Sequence, residues 1–165
     1  MKTIKRFFAT MLAIALVVIT AEVKADDTKS SSTVVEIAVS NPDFSTLVEA
    51  VSKAKLVDAL SADGPFTVFA PTNDAFDKLF KQLGVSGIED LTAEQLTPIL
   101  TYHVVSGEVL SSDLTNTSVA TLNGKKIEVD LKDGVHINDS EVIKADIRGK
   151  NGVIHVIDKV LIPEQ

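Results

Sequence analysis

The residues able to do chemistry are few and far apart. Three histidines, His103, His136 and His155, and no cysteine are available to bind a metal or assist a nucleophile. Their separations fit no His-Glu-x-x-His or related spacing, which places ligands on one face of one element. Without cysteine there is no thiolate nucleophile, thiolate zinc site, disulfide or cysteine-linked lipid. The sharp Gly-x-Ser-x-Gly turn of an α/β-hydrolase nucleophile is missing, and so are the glycine-rich phosphate and dinucleotide loops. Asp130 to Glu141 is acid-rich, but setting Gly134 at the glycine of a calcium loop places Val129 and Leu131 where ligands belong. Acids for a glycosidase pair are plentiful, with no spacing that singles out two of them. The residues therefore predict a chain that is not an enzyme and needs neither cofactor nor metal.

Charge narrows the partners. Lys2, Lys5 and Arg6 precede the apolar run Phe7 to Ala21, which is shorter than the roughly 20 residues of a spanning helix. Val23-Lys24-Ala25 follows with the small-residue pattern of a cleavage site. Residues 1–25 are thus expected to be an export signal, 26–32 a flexible polar leader, and 33–165 one domain, secreted or periplasmic. Cleavage removes four of the 16 basic residues and one of the 23 acids, leaving 12 against 22 and a net charge of −10. Such a surface repels nucleic acid and anionic lipid, so neither nucleic-acid binding nor basic-patch membrane binding is expected.

The elements that must position any site follow from periodicity. From Thr33 to Leu60 the apolar residues recur at helical intervals, interrupted at Asn41-Pro42-Asp43. Gly64-Pro65 ends this stretch. Phe66 to Ala70 reads as a buried strand. Thr72 or Asn73 can cap a helix with Ala75, Phe76, Leu79 and Phe80 inward, and Thr92 can cap another running to about Thr101. The period then changes to two. Tyr102–Val105, Lys125–Leu131, Val135–Ile137, Glu141–Ile147, Val153–Ile157 and Val160–Ile162 read as strands, with Asp133-Gly134 as a hairpin turn and Asn123-Gly124 and Asn151-Gly152 as turns feeding strands. A helical first half and a β-rich second half predict an α+β domain with helices against an antiparallel sheet.

Three segments in order resemble the fasciclin-domain family. Phe66-Thr67-Val68-Phe69-Ala70-Pro71-Thr72-Asn73-Asp74-Ala75-Phe76 is similar to its first signature. Asn151-Gly152-Val153-Ile154-His155-Val156-Ile157-Asp158-Lys159-Val160-Leu161 is similar to its second, and Tyr102-His103 sits where the family has a Tyr-His segment. The resemblance spans Thr33 to Pro163. It implies a secreted or surface-attached, non-enzymatic domain, an antiparallel β wedge or sandwich with helices on one side, that mediates adhesion through protein or matrix contacts. Animal members carry an Asp-Ile pair, implicated in integrin binding, before the second signature, and Asp146-Ile147 occupies that place. The flanking residues differ from the animal pattern, so a protein or polysaccharide of a surface or matrix is the implied partner.

Most of these residues have a structural reading. Phe66, Val68, Phe69, Phe76, Val153, Ile154, Val156 and Ile157 are core candidates, each stabilising by about 1.5–3 kcal/mol on burial. Asn73 and Asp74 are expected to cap a helix, and His103 and His155 to be hydrogen-bonded inside. In an alternating strand Ile147 faces inward and Asp146 outward. Tyr102, His103, Asp146 and Ile147 are the candidate contact residues, with Asp146 the most direct. A second reading is a soluble carrier of an apolar ligand, such as a carotenoid or lipid, between the helices and the sheet. Asn116-Thr117-Ser118 and Asn138-Asp139-Ser140 match the N-glycosylation pattern, which matters only in a eukaryotic secretory pathway.

Overall fold

The computed structural model describes residues 30–163. The expected export signal and residues 26–29 lie outside the described residues. Residues 30–32, expected as part of a flexible leader, instead run against a later turn: the Ser30 N–H donates to the Arg148 carbonyl at 3.3 Å, and Ser32 accepts from Lys150 at 2.7 Å.

Helix α1 (Val34–Ser40) begins with a reciprocal cap. Thr33 Oγ1 accepts from the Glu36 N–H at 3.2 Å while the Glu36 carboxylate accepts from the Thr33 N–H at 2.6 Å. Asn41 closes it and caps a 3₁₀ turn, Pro42–Phe44, that leads into α2 (Ser45–Lys53). Helix α3 (Val57–Ser61) is one short turn more. Thr72 caps α4 (Asn73–Leu83), and Thr92 caps α5 (Ala93–Tyr102) with Gln95 completing a second box.

Seven strands form one sheet in the order β2-β1-β7-β6-β5-β4-β3. They are β1 (Phe66–Pro71), β2 (Val104–Ser106), β3 (Ser118–Ala120), β4 (Lys126–Asp130), β5 (His136–Ile137), β6 (Ser140–Gly149) and β7 (Gly152–Ile157). Every pairing is antiparallel except one: β1 runs parallel to β7, from Phe66 opposite Gly152 to Pro71 opposite Ile157. The expected α+β fold with a mostly antiparallel sheet is found, with this one parallel pair inside it. The two signature segments are therefore partners, and they touch so closely at one point that only glycine fits. A Cβ on Gly152 would lie 2.0 Å from the Phe66 carbonyl oxygen.

Residues on these two strands are buried on both faces, which is why they read as unbroken apolar runs. Val68, Ala70, Ile154 and Val156 face a core built with α1, α2, α4 and α5, including Phe44, Leu47, Phe76, Leu96 and Leu100. Phe69 and Ile157 face a second core with Tyr102, Val105, Leu114, Ile127, Val129 and Ile137. The chain beyond β2 folds over this second face, and a lone bridge from Val105 to Thr121 brings the two sheet edges together.

Two strand expectations are corrected. Tyr102 ends α5 rather than opening a strand, because its carbonyl-side neighbour His103 caps the helix with its N–H on Leu100 and Thr101. Val160–Ile162 forms no strand, since the Leu161 N–H is taken by the His103 ring at 2.9 Å instead of a ladder partner. Strand β3 was not predicted: Ser118-Val119-Ala120 is too short and polar for a period to show.

Candidate functional site

The Asp-Ile pair does not sit in a regular strand. Between Lys144, opposite Val156, and Ile147, opposite Ile154, β6 carries one extra residue, so Ala145 and Asp146 together face His155. Asp146 takes the left-handed conformation, φ +58°, which an aspartate tolerates better than most residues but which still stores strain. The simple alternation expected for this pair is thus replaced by a bulge. Asp146 is exposed and Ile147 is half-buried against the helical core.

The bulge is held from two sides, by Ser111 and by His155. Ser111 donates its N–H to Asp146 Oδ1 at 2.7 Å and its hydroxyl to Oδ2. The Asp146 N–H points to His155 Nδ1 at 3.4 Å, and His155 Nε2 lies 2.8 Å from the Val109 carbonyl oxygen. A backbone N–H can donate only to a lone pair, so the His155 proton is on Nε2 and goes to Val109. Partial desolvation pushes the Asp146 carboxyl upward. The Ser111 hydroxyl and N–H outweigh that, with His155 and Arg148 adding, and the net direction is below the ordinary carboxylate range. Burial lowers His155, against the opposing pull of the Val109 hydrogen bond and of Asp146.

Serine, aspartate and histidine are therefore in contact, but in an order that cannot activate a nucleophile. The Ser111 hydroxyl donates to the carboxylate rather than to an imidazole, and both nitrogens of His155 are engaged by backbone. What this arrangement does is fix a negative charge at a strained, exposed point. Each carboxylate oxygen keeps acceptor capacity beyond its bond to Ser111.

Tyr102 and His103 lie inside. Tyr102 is 5% exposed; its hydroxyl donates to the Lys126 carbonyl at 2.9 Å and accepts from Asn138 at 3.1 Å. His103 bridges α5 to the C-terminal segment through the Ile99 carbonyl at 2.8 Å and the Leu161 N–H. Burial lowers its pKa from 6.5 to about 4, the Ile99 bond opposing. Neither side chain reaches the Asp146 bulge, and no group of three or more histidines and acids placed to hold a metal is present among the described residues.

The remaining signature residues hold elements together. Phe66 is half-buried and Pro71 buried. Thr67 donates to the Gly107 carbonyl at 2.7 Å and accepts from the Val109 N–H at 2.9 Å, pinning the loop that carries Ser111 toward β7. Asn73 lies in the first turn of α4 yet serves a different helix: its Oδ1 accepts from the Thr46 N–H at 3.1 Å near the start of α2, and its Nδ2 donates to Pro42. Asn151 was read from sequence only as a turn residue. It is buried, accepts from the Val34 N–H at the start of α1 and donates to Leu60 and Ala62 at the end of α3. His155 also stacks on Phe69 with ring centroids 5.6 Å apart.

Two concavities adjoin His103 and Tyr102. One, about 120 Å³, lies between α1, α2, α3 and the β1/β7 pair and is lined by valines and leucines, with Ser52 and His103. The Ser52 hydroxyl is taken by the Val48 carbonyl at 2.8 Å, so all its polar groups are satisfied and the cavity is of the dry kind. The other, about 750 Å³, is polar and runs between α4, β4 and the C-terminal segment.

A fasciclin domain model matches residues 42–163. Protein sll1483 of Synechocystis sp. is 50% identical over 137 residues, 82% of this chain and 76% of that protein. Transforming growth factor-beta-induced protein ig-h3 of Sus scrofa is 40% identical over 82% of this chain but only 20% of its own length. Among solved structures, the FAS1 domain pair of the insect cell adhesion molecule fasciclin I has the same fold, with a TM-score of 0.68 at 22% identity over 82% of this chain; the chain spans about half of that pair, 52%. The seven-stranded sheet with its helical face, the pairing of the two signatures and these matches give one conclusion: the chain belongs to the fasciclin domain family.

Proposed function

We propose that this chain is an exported, non-catalytic interaction domain that mediates adhesion by meeting a protein or polysaccharide of a cell surface or matrix at the Asp146 bulge. The observation that carries the reading is a strained, exposed aspartate whose charge is fixed by Ser111 and whose backbone is fixed by His155. Strain of this kind concentrates where proteins bind. The shared fold with a cell adhesion molecule supports the class of role, and the export signal expected in residues 1–25 supports the location. Tyr102 and His103 act here by positioning, from inside.

The test is attachment of beads coated with the protein to the host's own envelope and matrix fractions. Asp146→Asn removes the charge while keeping a residue that accepts a positive φ. Attachment is expected to fall at least severalfold with melting unchanged within a few degrees. Unchanged attachment by a folded Asp146→Asn protein would remove the site assignment. If deleting the gene altered neither aggregation nor attachment, the role itself would fail.

The dry cavity favours a second reading, a carrier of an apolar ligand. At about 120 Å³ it is near the size of engineered cavities that take benzene, so it would hold one end of a lipid or carotenoid rather than the whole molecule. Pigment or lipid in an organic extract of the purified protein would support this reading, and a clean extract would end it.

A further inference from the structure

The larger concavity is at odds with the charge of the domain around it. One face of α4, with Ala75, Lys78, Leu79 and Gln82, forms a wall, and the outward residues of β4, Lys126, Glu128 and Asp130, form the other. Four lysines (Lys78, Lys125, Lys126 and Lys159) border it against three acids, Glu128, Asp130 and Asp139. Asp130 is already engaged by Lys132 at 3.4 Å and Lys78 by Asp158 at 3.6 Å, which leaves three lysines against Glu128 and Asp139. A domain with 22 acids and 12 basic residues after the expected cleavage thus carries a local excess of lysine in this cleft.

The floor is rigid and the rim is free. Tyr102, Asn138 and the Lys126 carbonyl are joined in one hydrogen-bonded chain, and Ser140 donates to the Lys159 carbonyl at 3.0 Å. By contrast Lys125, Lys126, Glu128 and Gln82 are exposed and make no side-chain hydrogen bond within the described residues. Lys159 reaches only the neutral carbonyl of Asp139, at 2.7 Å, so its charge stays uncompensated.

We infer that this groove binds an acidic polysaccharide, a chain of uronate-type sugars. Lys125 and Lys126 at the start of β4 and Lys159 on the C-terminal segment give the groove separate cations to meet carboxylates spaced along a polymer. The interleaved Glu128, Asp139 and Gln82 accept and donate to ring hydroxyls, which a purely basic patch would not do. The volume is that of an ordinary ligand site. An acidic peptide fits less well, because β4 is already paired on both sides, with β3 and β5, and offers no edge for a strand to join. This names a partner class for the surface-contact role proposed above and rests on it, although it uses a different face from Asp146.

The experiment titrates the protein with polygalacturonate fragments and, separately, with neutral dextran fragments of matched length, following backbone NMR shifts and calorimetric affinity at low and at physiological salt. Polygalacturonate is expected to shift the β4, α4 and 138–140 signals, to weaken with salt, and to lose at least tenfold in affinity in Lys125→Glu/Lys126→Glu. The exposed lysines Lys144 and Lys150 lie away from the groove, and Lys144→Glu/Lys150→Glu should bind as the parent does. Equal binding of dextran, shifts elsewhere on the domain, or full affinity in the Lys125/Lys126 variant would each overturn the inference. Attachment that still depends on Asp146 in that outcome would leave the adhesive role standing without this groove.

Discussion

Acid should unfold this domain earlier than its carboxylates alone would require, and His103 is the reason. Its ring must be neutral in the folded state, because Nε2 accepts from the Leu161 N–H while Nδ1 donates to Ile99. Protonation puts two N–H groups face to face in a core with no water to separate them. The folded pKa is lowered from 6.5 to about 4, so in that window the unfolded chain binds more protons than the folded one, and stability falls as pH falls. It is fully present above about pH 6.5, and the loss levels off below about pH 4. With 1.36 kcal/mol per pH unit, the shift amounts to about 2–2.5 kcal/mol lost between pH 7 and pH 4.5. His155 is lowered too and acts in the same direction. The assay is urea unfolding at a series of pH values for the parent and for His103→Gln, whose amide can still accept from Leu161 but cannot titrate. The variant should be weaker at neutral pH by about 1–2 kcal/mol through the lost Ile99 bond, and its stability should decline less steeply into acid. Parallel decline of the two proteins would refute the assignment of this slope to His103.

Two further substitutions test the joints of the fold. Asn151→Ala strands the Val34 N–H and the Leu60 and Ala62 carbonyls, so a loss of about 2–4 kcal/mol is expected, read as a melting temperature lower by roughly 10 °C; a drop of only a degree or two would mean water replaces the amide. Gly152→Ala forces a Cβ against the Phe66 carbonyl and should cost about 3 kcal/mol or prevent folding. Gly84→Asn, at φ +69° with open space around it, should cost under about 1 kcal/mol, and equal effects at the two glycines would contradict the close approach of β1 and β7.

What could be read from the sequence is what depends on local pattern. The caps Thr72 and Thr92, the break at Asn41-Pro42-Asp43 and the alternation in Lys126–Asp130 are each written in neighbouring residues, and each is found where expected. The parallel pairing of β1 with β7 is not local: partners such as Phe69 and His155 lie far apart, and a strand buried on both faces shows no period to betray its direction. The Asp146 bulge was hidden for the same reason, since the extra residue is defined only by the register against Ile154 and Val156. Asn151 looked like a turn residue because its three partners are supplied by α1, α3 and the loop after it, none of them near in the chain.

The most recognisable segments are also the ones a partner can least reach. Between Thr67 and Pro71, and again between Gly152 and Ile157, every residue is buried; they form the seam between two cores, and a side chain there is constrained on both faces at once. A position so constrained can tolerate few changes, which makes it a good marker of the fold and a poor carrier of specificity. Specificity must then be written on side chains that the seam merely positions: Asp146, set on its bulge by His155 from β7, and the lysines of the polar groove, whose floor is tied to Tyr102. Two members of such a family can therefore share both signatures and meet different partners. The corresponding expectation is that exchanging Asp146 or Lys125 and Lys126 alters what the domain holds while leaving its melting temperature nearly unchanged, whereas exchanges at Val68, Gly152 or Ile154 do the reverse.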